Sequence, residues 1–165
     1  MKQSRPKTFH YTNPEMAKYL LSKTPFRKMD VILDAGSGKN KVWYNNLPTI
    51  NKYECEIDDG CDFFEWGKMG KNKNVDWVVG NPPFDLQKQF LEKASEIALK
   101  GIAFLGNINF WNGLTPKRRQ ALQEKGFYLQ KIIIVQDKRW FGRYYYYLIF
   151  TKEKNNFIEW NGKTY

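Results

Sequence analysis

The order of apolar and polar positions along the chain predicts an α/β fold. Apolar runs of strand length, several of them rich in β-branched residues, alternate with stretches in which apolar residues recur at helical spacing. The predicted strands cover residues 31–34, 53–58, 75–80, 101–106, 131–135 and 144–151. Since strands that alternate with helices are typical of parallel sheets, we expect a mostly parallel central sheet.

The first predicted helix follows a polar, basic arm at residues 1–10. Asn13 is a suitable N-cap and Pro14 a suitable first helical residue. The apolar face of this helix is expected to hold Met16, Tyr19 and Leu20.

Later helices are predicted from Asp85 to Leu99, over residues 41–47, and from Thr115 to Gly126. The core stripe of the longest one consists of Leu86, Phe90, Ala94, Ile97 and Ala98. Residues 107–113 are expected to form a loop at the carboxyl end of a strand.

Composition and charge narrow the class of protein. A chain of 165 residues with 42% hydrophobic residues is expected to form one packed domain, residues 1–165, with no separate target-recognition domain. The formal charge of +10 favours an anionic partner, of which nucleic acid is the first candidate. A protein whose lysine-rich surface contacts only water would have the same net charge. We therefore expect a nucleic-acid partner.

The cysteines and the apolar runs bear on the compartment. Cys55 and Cys61 have no metal-ligand spacing, so no metal site is predicted, and reduced thiols in a cytoplasmic protein are expected. No apolar run approaches the roughly 20 residues of a membrane helix, and the polar N-terminus does not resemble a signal peptide. The expected location is the cytoplasm, which would be the host cytoplasm for a phage protein.

The stretch Asn81-Pro82-Pro83-Phe84 carries the most specific chemistry. It follows a valine-rich strand, and two consecutive prolines make a stiff turn at the strand's carboxyl end, where α/β sheets build active sites. The Asn81 amide oxygen and a neighbouring backbone carbonyl can accept hydrogen bonds from one NH2 group. The Phe84 ring can stack on a flat substrate. This combination suits the recognition of an amine on a planar or amide partner.

A second candidate site follows the strand at residues 31–34. Asp34 is followed by a loop with Gly36 and Gly38, which can turn sharply and approach a ligand closely. An acid at the end of the next strand, Glu56, lies where dinucleotide-type folds hold ribose hydroxyls. A surface strand end is the alternative for Glu56.

Together these motifs resemble a known enzyme family. The glycine loop, the acid, an Asp62-Phe63 element, the Asn-Pro-Pro-Phe turn and the terminal strand pair occur in the order seen in class I S-adenosylmethionine-dependent N6-adenine nucleic-acid methyltransferases, and the size resembles a minimal, phage-type member. The resemblance implies a Rossmann-like fold with helices on both faces, a C-terminal antiparallel strand pair, and S-adenosyl-L-methionine as cofactor. The implied cofactor-binding residues are Thr12, Asp34, Gly36, Gly38, Glu56, Ile57, Asp62, Phe63 and Asn81.

Three departures from the family pattern are visible. An asparagine separates Thr12 from Pro14, and Asn40 replaces the third glycine of the loop. Only Asp59 and Gly60 separate the second strand from the Asp62 element, so the helix usual at this point is expected to be reduced. Asp62 is equally suited to cap a short helix through Trp66.

The resemblance implies methyl transfer to the N6 amine of adenine, with DNA more strongly favoured than RNA. Asn81 and the Pro82 carbonyl would bind the amine, and Pro83 and Phe84 would complete the catalytic motif. The implied substrate-binding residues are Phe84, Trp111, Trp140, Phe141, Lys138, Arg139 and Arg143. A partner subunit could supply target recognition.

Two other functions remain open from the sequence. A protein glutamine N5-methyltransferase uses a similar turn, usually with tyrosine in the last position, and Phe84 and the basic charge count against it. A catalytically inactive nucleic-acid-binding module of the same fold is the other alternative, against which the intact glycine loop argues.

Overall fold

The structure, a computed structural model, describes residues 11–68, 74–140 and 142–154. The predicted N-terminal arm, Phe141 and the C-terminal residues 155–165 lie outside the described residues.

The core of the fold is a six-stranded sheet with the strand order β2-β1-β3-β4-β6-β5. The strands are β1 (Ile32–Ala35), β2 (Lys52–Cys55), β3 (Val75–Gly80), β4 (Ala98–Gly106), β5 (Tyr128–Gln136) and β6 (Tyr144–Thr151). The first four strands are parallel, and β6 pairs antiparallel with both β4 and β5. The predicted mostly parallel sheet with an antiparallel terminal pair is confirmed.

Helices cover both faces of this sheet. They are α1 (Pro14–Ser22), α2 (Val42–Asn45), α3 (Gln87–Ile97), α4 (Ile108–Asn112) and α5 (Pro116–Glu124). The predicted caps are present: the Asn13 side chain accepts a hydrogen bond from the Glu15 amide at 2.9 Å, and the Thr115 side chain accepts one from the Arg118 amide.

Alternation along the strands produces two cores. In β4, Ile102 and Phe104 pack with α3, α4 and α5, whereas Ala103 and Leu105 pack with α1 and α2. Because successive strand residues point to opposite faces, each central strand contributes to both cores. Every helix in the described ranges falls short of the length and apolar content that crossing a bilayer requires.

Several boundaries differ from the prediction. The helix expected to reach Leu99 ends at Ile97, because Ala98 already pairs with Val75 as the first residue of β4. Residues 107–113 were expected to form a loop but contain α4, since the Asn107 side chain accepts from the Asn109 and Phe110 amides and caps a helical turn.

Two predictions for the N-terminal part, the apolar face of the first helix and the length of the second, are also corrected. Tyr19 is 50% exposed, and Ala17, Leu20 and Leu21 form the buried face of α1 instead. The helix expected over 41–47 is the short α2, because Lys41 adopts a left-handed conformation that delays the helical turn.

The segment after β2 is reduced, as the sequence predicted. Residues 57–68 contain two single 3₁₀ turns, at Ile57–Asp59 and Phe63–Glu65, so the helix expected through Trp66 is only one turn long.

The prediction of reduced thiols is wrong for this structure: Cys55 and Cys61 form a disulfide with a Cα–Cα distance of 5.1 Å. The turn between them, in which Gly60 has a positive φ of 85°, reverses the chain and brings the two residues within bridging distance. Their spacing in the sequence carried no signal for this reversal.

Candidate functional site

Three parallel strand ends meet at one edge of the sheet and carry the predicted site residues. Asp34 pairs in register with Glu54 of β2 and Val79 of β3, so the segments that follow these strands emerge side by side. We call residues 35–40 the glycine loop and residues 81–84 the proline turn.

The glycine loop and the proline turn are in direct contact. Gly80 has a φ of 143°, and a Cβ atom there would lie 2.9 Å from the Ala35 carbonyl oxygen and 3.1 Å from Asp34 Oδ1. A Cβ at Gly36 would lie 3.9 Å from Pro83 Cδ. Glycine at both positions therefore allows the two backbones to approach closely.

Backbone amides of the glycine loop bind the end of β2. The Gly36 and Ser37 amides donate to the Cys55 carbonyl at 2.8 and 3.1 Å, and the Gly38 amide donates to Glu56 Oε2 at 2.7 Å. Gly36 and Gly38 both have positive φ, near 70°, which turns these amides toward β2. Glu56 thus lies against the loop at the strand end where the ribose ligand is predicted.

Asp34 is completely buried beneath this loop. Its Oδ2 accepts from the Tyr44 amide at 2.9 Å, and its Oδ1 accepts no hydrogen bond from the described residues. Burial, the largest effect, and the charges of Glu54 and Glu56 together raise the pKa of Asp34 to about 8, although the hydrogen bond from the Tyr44 amide opposes them. A positive charge at this edge of the sheet would stabilise the ionised carboxylate.

Thr12 connects the proline turn to α2. Its Oγ1 accepts a hydrogen bond from Asn81 Nδ2 at 3.2 Å and another from Trp43 Nε1 at 2.9 Å. Thr12 is buried although it precedes the first helix, and the neighbouring Tyr11 ring lies 3.5 Å from the position of a Cβ at Gly38. Residues 11–13, which directly precede α1, therefore pack over the glycine loop.

Gln87 supports the proline turn from the other side. This fully buried side chain donates from Nε2 to the Leu105 carbonyl at 3.3 Å and approaches the Pro82 carbonyl at 3.5 Å. Sequence reasoning missed Gln87, although a polar residue on the buried side of an otherwise apolar helical stripe is a signal for such a tether.

The Phe84 ring is half-buried and stacks on Tyr145, with ring centroids 5.9 Å apart and an interplanar angle of 29°. Trp140 meets the same tyrosine edge-on at 4.4 Å and is only 4% exposed. Trp140, predicted as a substrate-stacking residue, therefore packs behind Tyr145. In the strand predicted over 144–151, Tyr145 and Tyr147 are buried, whereas Tyr144 is exposed.

The predicted cations differ in their surroundings. Arg139 binds Asp137 through Nε and Nη2, at 2.6 to 3.1 Å, and this pairing lowers the pKa of Asp137 below its usual range despite burial. Lys138 and Arg143 are exposed. Because Tyr146 pairs with Gly106 at the carboxyl end of β4, the β5–β6 connection that bears these cations lies at the same edge of the sheet as the proline turn.

The remaining predicted site residues are distributed around this edge. Ile57, a predicted cofactor-binding residue, is 52% exposed. Asp62 caps its 3₁₀ turn by accepting from the Phe64 amide, and the buried Phe63 stacks on Phe90 at 4.8 Å.

Trp111, a predicted substrate-binding residue, is half-buried and stacks on Tyr146, while its neighbour Phe110 belongs to the core. Phe141 lies outside the described residues.

The basic cluster at residues 117–119 lies on α5, beside a separate surface cavity of about 180 Å³ that faces α3. Arg118 donates to the Gly113 carbonyl and pairs with Glu92 at 3.7 Å. Within the described part of the chain, no group of three or more His, Cys, Asp or Glu side chains is arranged to hold a metal ion.

Solved structures with the same fold are found. The chain is similar to a candidate RNA methyltransferase from Pyrococcus horikoshii, with 18% identity and a TM-score of 0.60 over 87% of this chain and 83% of that one. It is also similar to M. capricolum TrmK in complex with S-adenosylhomocysteine, with 14% identity and a TM-score of 0.59 over 87% and 71% of the chains.

A third similar structure is the magnesium protoporphyrin IX methyltransferase of Synechocystis PCC 6803 with bound S-adenosylmethionine. It has 12% identity and a TM-score of 0.52 over 84% of this chain and 77% of that one. No family model and no curated protein sequence matches the chain. The fold is thus that of class I S-adenosylmethionine-dependent methyltransferases.

Proposed function

We propose that the chain transfers the methyl group of S-adenosylmethionine to the exocyclic N6 amine of adenine in a nucleic acid, with DNA favoured over RNA. The contact between the proline turn and the glycine loop carries this proposal. Gly80 packs on the Ala35 carbonyl, so Asn81 begins directly beside the loop that follows β1. A displacement reaction requires both reactants in one site, and alignment of the two is then the main source of rate enhancement.

The residues at the strand ends fit the cofactor. Positive φ at Gly36 and Gly38 turns the loop amides toward the end of β2, where Glu56 offers a carboxylate for ribose hydroxyls. The exposed Ile57 offers an apolar surface for an adenine ring. The buried Asp34, whose Oδ1 accepts no hydrogen bond from the described residues, favours a positively charged ligand. When bound, the cofactor would supply an electrophilic methyl group on a positively charged sulfur.

The proline turn would hold the acceptor amine. The adenine nitrogen is a weak nucleophile because its lone pair is delocalised into the ring. Hydrogen bonds from its two N–H groups to Asn81 Oδ1 and the Pro82 carbonyl would favour a tetrahedral nitrogen and direct the lone pair at the methyl group. Gln87, which contacts the Pro82 carbonyl, would keep that acceptor in place.

The aromatic and basic residues of the same edge would bind the nucleic acid. Phe84 is supported from behind by Tyr145 and would stack on the extruded base, which costs a few kcal/mol to unstack and less in single strands. Lys138 and Arg143 are exposed and would contact phosphates, whereas Arg139 is tied to Asp137 and would mainly hold the β5–β6 connection. A partner subunit could add target selectivity.

The test is incubation of the chain with isotopically labelled cofactor and separate pools of DNA, RNA and protein, followed by digestion to nucleosides or amino acids. We expect label in N6-methyladenine nucleosides. Label in protein glutamine would instead establish the glutamine methyltransferase alternative. Absence of transfer together with absence of cofactor binding in calorimetry would establish the inactive binding module.

A further inference from the structure

Thr12 occupies an unusual position for a residue that precedes the first helix. It is 4% exposed, and its single hydroxyl oxygen accepts hydrogen bonds from two side chains of different elements, Asn81 Nδ2 and Trp43 Nε1. A threonine hydroxyl has two acceptor lone pairs and one proton, so these two donors use its full acceptor capacity. Such saturation fixes all three side chains relative to one another.

We propose that Thr12 is the positioning residue for the Asn81 amide, an inference that rests on the proposed methyl transfer at the same turn. The carboxamide group is planar, with its nitrogen and oxygen on opposite sides of the amide carbon. Because Thr12 holds Nδ2, the amide plane cannot rotate freely, and Oδ1 is directed away from Thr12. The hydrogen bond thereby selects the orientation in which Asn81 presents an acceptor to the amine.

Trp43 makes this arrangement rigid and connects it to the glycine loop. Its indole is buried, stacks on Tyr147 at 5.6 Å, and belongs to α2, the helix that follows the glycine loop. Thr12 is thus held from the side of the loop as well as from the side of the turn. Arg139 adds a contact from the β5–β6 connection, since its Nη2 lies 3.5 Å from the Tyr11 carbonyl.

This role differs from that of a cofactor ligand, which the family resemblance assigns to Thr12. A cofactor ligand would change the dissociation constant of S-adenosylmethionine when its hydroxyl is removed. A residue that orients Asn81 would change kcat and leave that constant nearly unaltered. The two roles therefore separate in one set of measurements.

The experiment compares Thr12→Val, Thr12→Ser and the control Thr49→Val. Valine keeps the shape of threonine without the hydroxyl, and serine restores the hydroxyl. Thr49 is also buried, and its hydroxyl donates to the Asp30 carbonyl at 3.2 Å and accepts from the Asn51 amide at 3.0 Å, just before β2 and at the opposite end of that strand from the site. Thr49→Val therefore reports the cost of losing a buried hydroxyl without a change at the proline turn.

We expect Thr12→Val to lower kcat by about 10- to 100-fold, because misplacement of a reacting group by about 1 Å can cost about 100-fold. The dissociation constant of the cofactor should change by less than about 2-fold, and Thr12→Ser should recover most of the activity. Thr49→Val should reduce thermal stability but keep kcat. A raised cofactor dissociation constant with normal kcat in Thr12→Val would overturn the inference.

A second readout does not depend on activity. In ¹⁵N-labelled protein, Thr12→Val should shift the Asn81 side-chain amide signals and accelerate hydrogen exchange of the Trp43 indole, and Thr49→Val should not. Unchanged Asn81 and Trp43 signals in Thr12→Val would overturn the inference even if activity fell. If these signals respond as expected while the wild-type chain methylates no adenine, the proposed function fails and the positioning of Asn81 stands.

Discussion

Substitution of Gly80 by alanine tests the contact on which the site depends. Gly80 ends β3 with a φ of 143°, a conformation that side chains rarely adopt, and an added Cβ would lie 2.9 Å from the Ala35 carbonyl oxygen. Both obstacles are backbone features, so no side-chain rotation can relieve them. The proline turn would have to move away from the glycine loop.

The magnitude follows from the geometry. Backbone strain in this region costs on the order of 1–3 kcal/mol. Overpacking in a filled site adds about 1–3 kcal/mol. Relief of the close contact to an ordinary distance of 3.4 Å requires a shift of about 0.5 Å. If a displacement of about 1 Å costs about 100-fold in rate, half of it costs about 10-fold.

Gly126→Ala is the matched control. Gly126 also has a positive φ, 80°, but a Cβ there would meet only the flexible side chain of Lys152, with Cδ at 3.4 Å and Nζ at 3.7 Å. Its cost should stay near the roughly 1–2 kcal/mol of a left-handed alanine, with normal turnover.

Urea denaturation and steady-state kinetics measure both effects. Gly80→Ala should lose about 2–6 kcal/mol of unfolding free energy, the sum of the two terms above, and kcat should fall about 10-fold in the fraction that remains folded. A Gly80→Ala protein as stable and as active as Gly126→Ala would refute the close approach of the two loops.

Three further predictions concern charge. The pKa of Asp34 is raised to about 8 in the folded state, so the wild type should lose stability as the pH rises from about 4 to 8. The difference in unfolding free energy between Asp34→Asn and the wild type should therefore increase, in favour of the variant, by up to about 1.4 kcal/mol per pH unit in that window. Parallel pH profiles of the two proteins would contradict the burial of this carboxyl group. Glu56→Ala should raise the dissociation constant of S-adenosylmethionine by about 10- to 100-fold in calorimetry, since a hydrogen bond to a charged group contributes about 1.5–3 kcal/mol. Unaltered affinity would show that Glu56 does not bind the cofactor. Lys138→Gln and Arg143→Gln should each reduce the slope of a plot of log oligonucleotide affinity against log salt concentration by about 0.7–0.9. The control Lys18→Gln, at an exposed position on α1, should leave that slope unchanged. Equal slopes in all variants would show that the nucleic acid does not contact Lys138 or Arg143.

The strands and their order of appearance could be predicted because they are short apolar runs punctuated by glycine and proline. Val75–Gly80 was predicted to the residue, since a valine-rich run ends abruptly at Asn-Pro-Pro. Strand pairing determined the structure where the sequence pattern was compatible with both helix and strand. Ala98 continues the helical stripe and the helix was expected to reach Leu99, yet both residues belong to β4 because Ala98 pairs with Val75 of β3.

The site could be predicted as a set of motifs but not as a set of contacts. Parallel strands bring Asp34, Glu56 and Asn81 to one edge, and this follows from topology alone. The hydrogen bond between Asn81 and Thr12 spans 69 positions, and the stacking of Phe84 on Tyr145 joins the proline turn to β6. Such long-range contacts leave no periodic pattern in the sequence.

The measurement that tests the central claim most directly compares Asn81→Ala with Asn74→Ala. Both asparagines flank β3, Asn81 at the edge that carries the glycine loop and Asn74 at the opposite end. Cofactor affinity from calorimetry and methyl transfer to an adenine-containing oligonucleotide would be recorded for each variant. We expect Asn81→Ala to bind the cofactor nearly as the wild type does while transfer falls by at least about 100- to 1,000-fold, as for the loss of one transition-state hydrogen-bonding group, and Asn74→Ala to be normal in both. Normal transfer by Asn81→Ala would contradict the account.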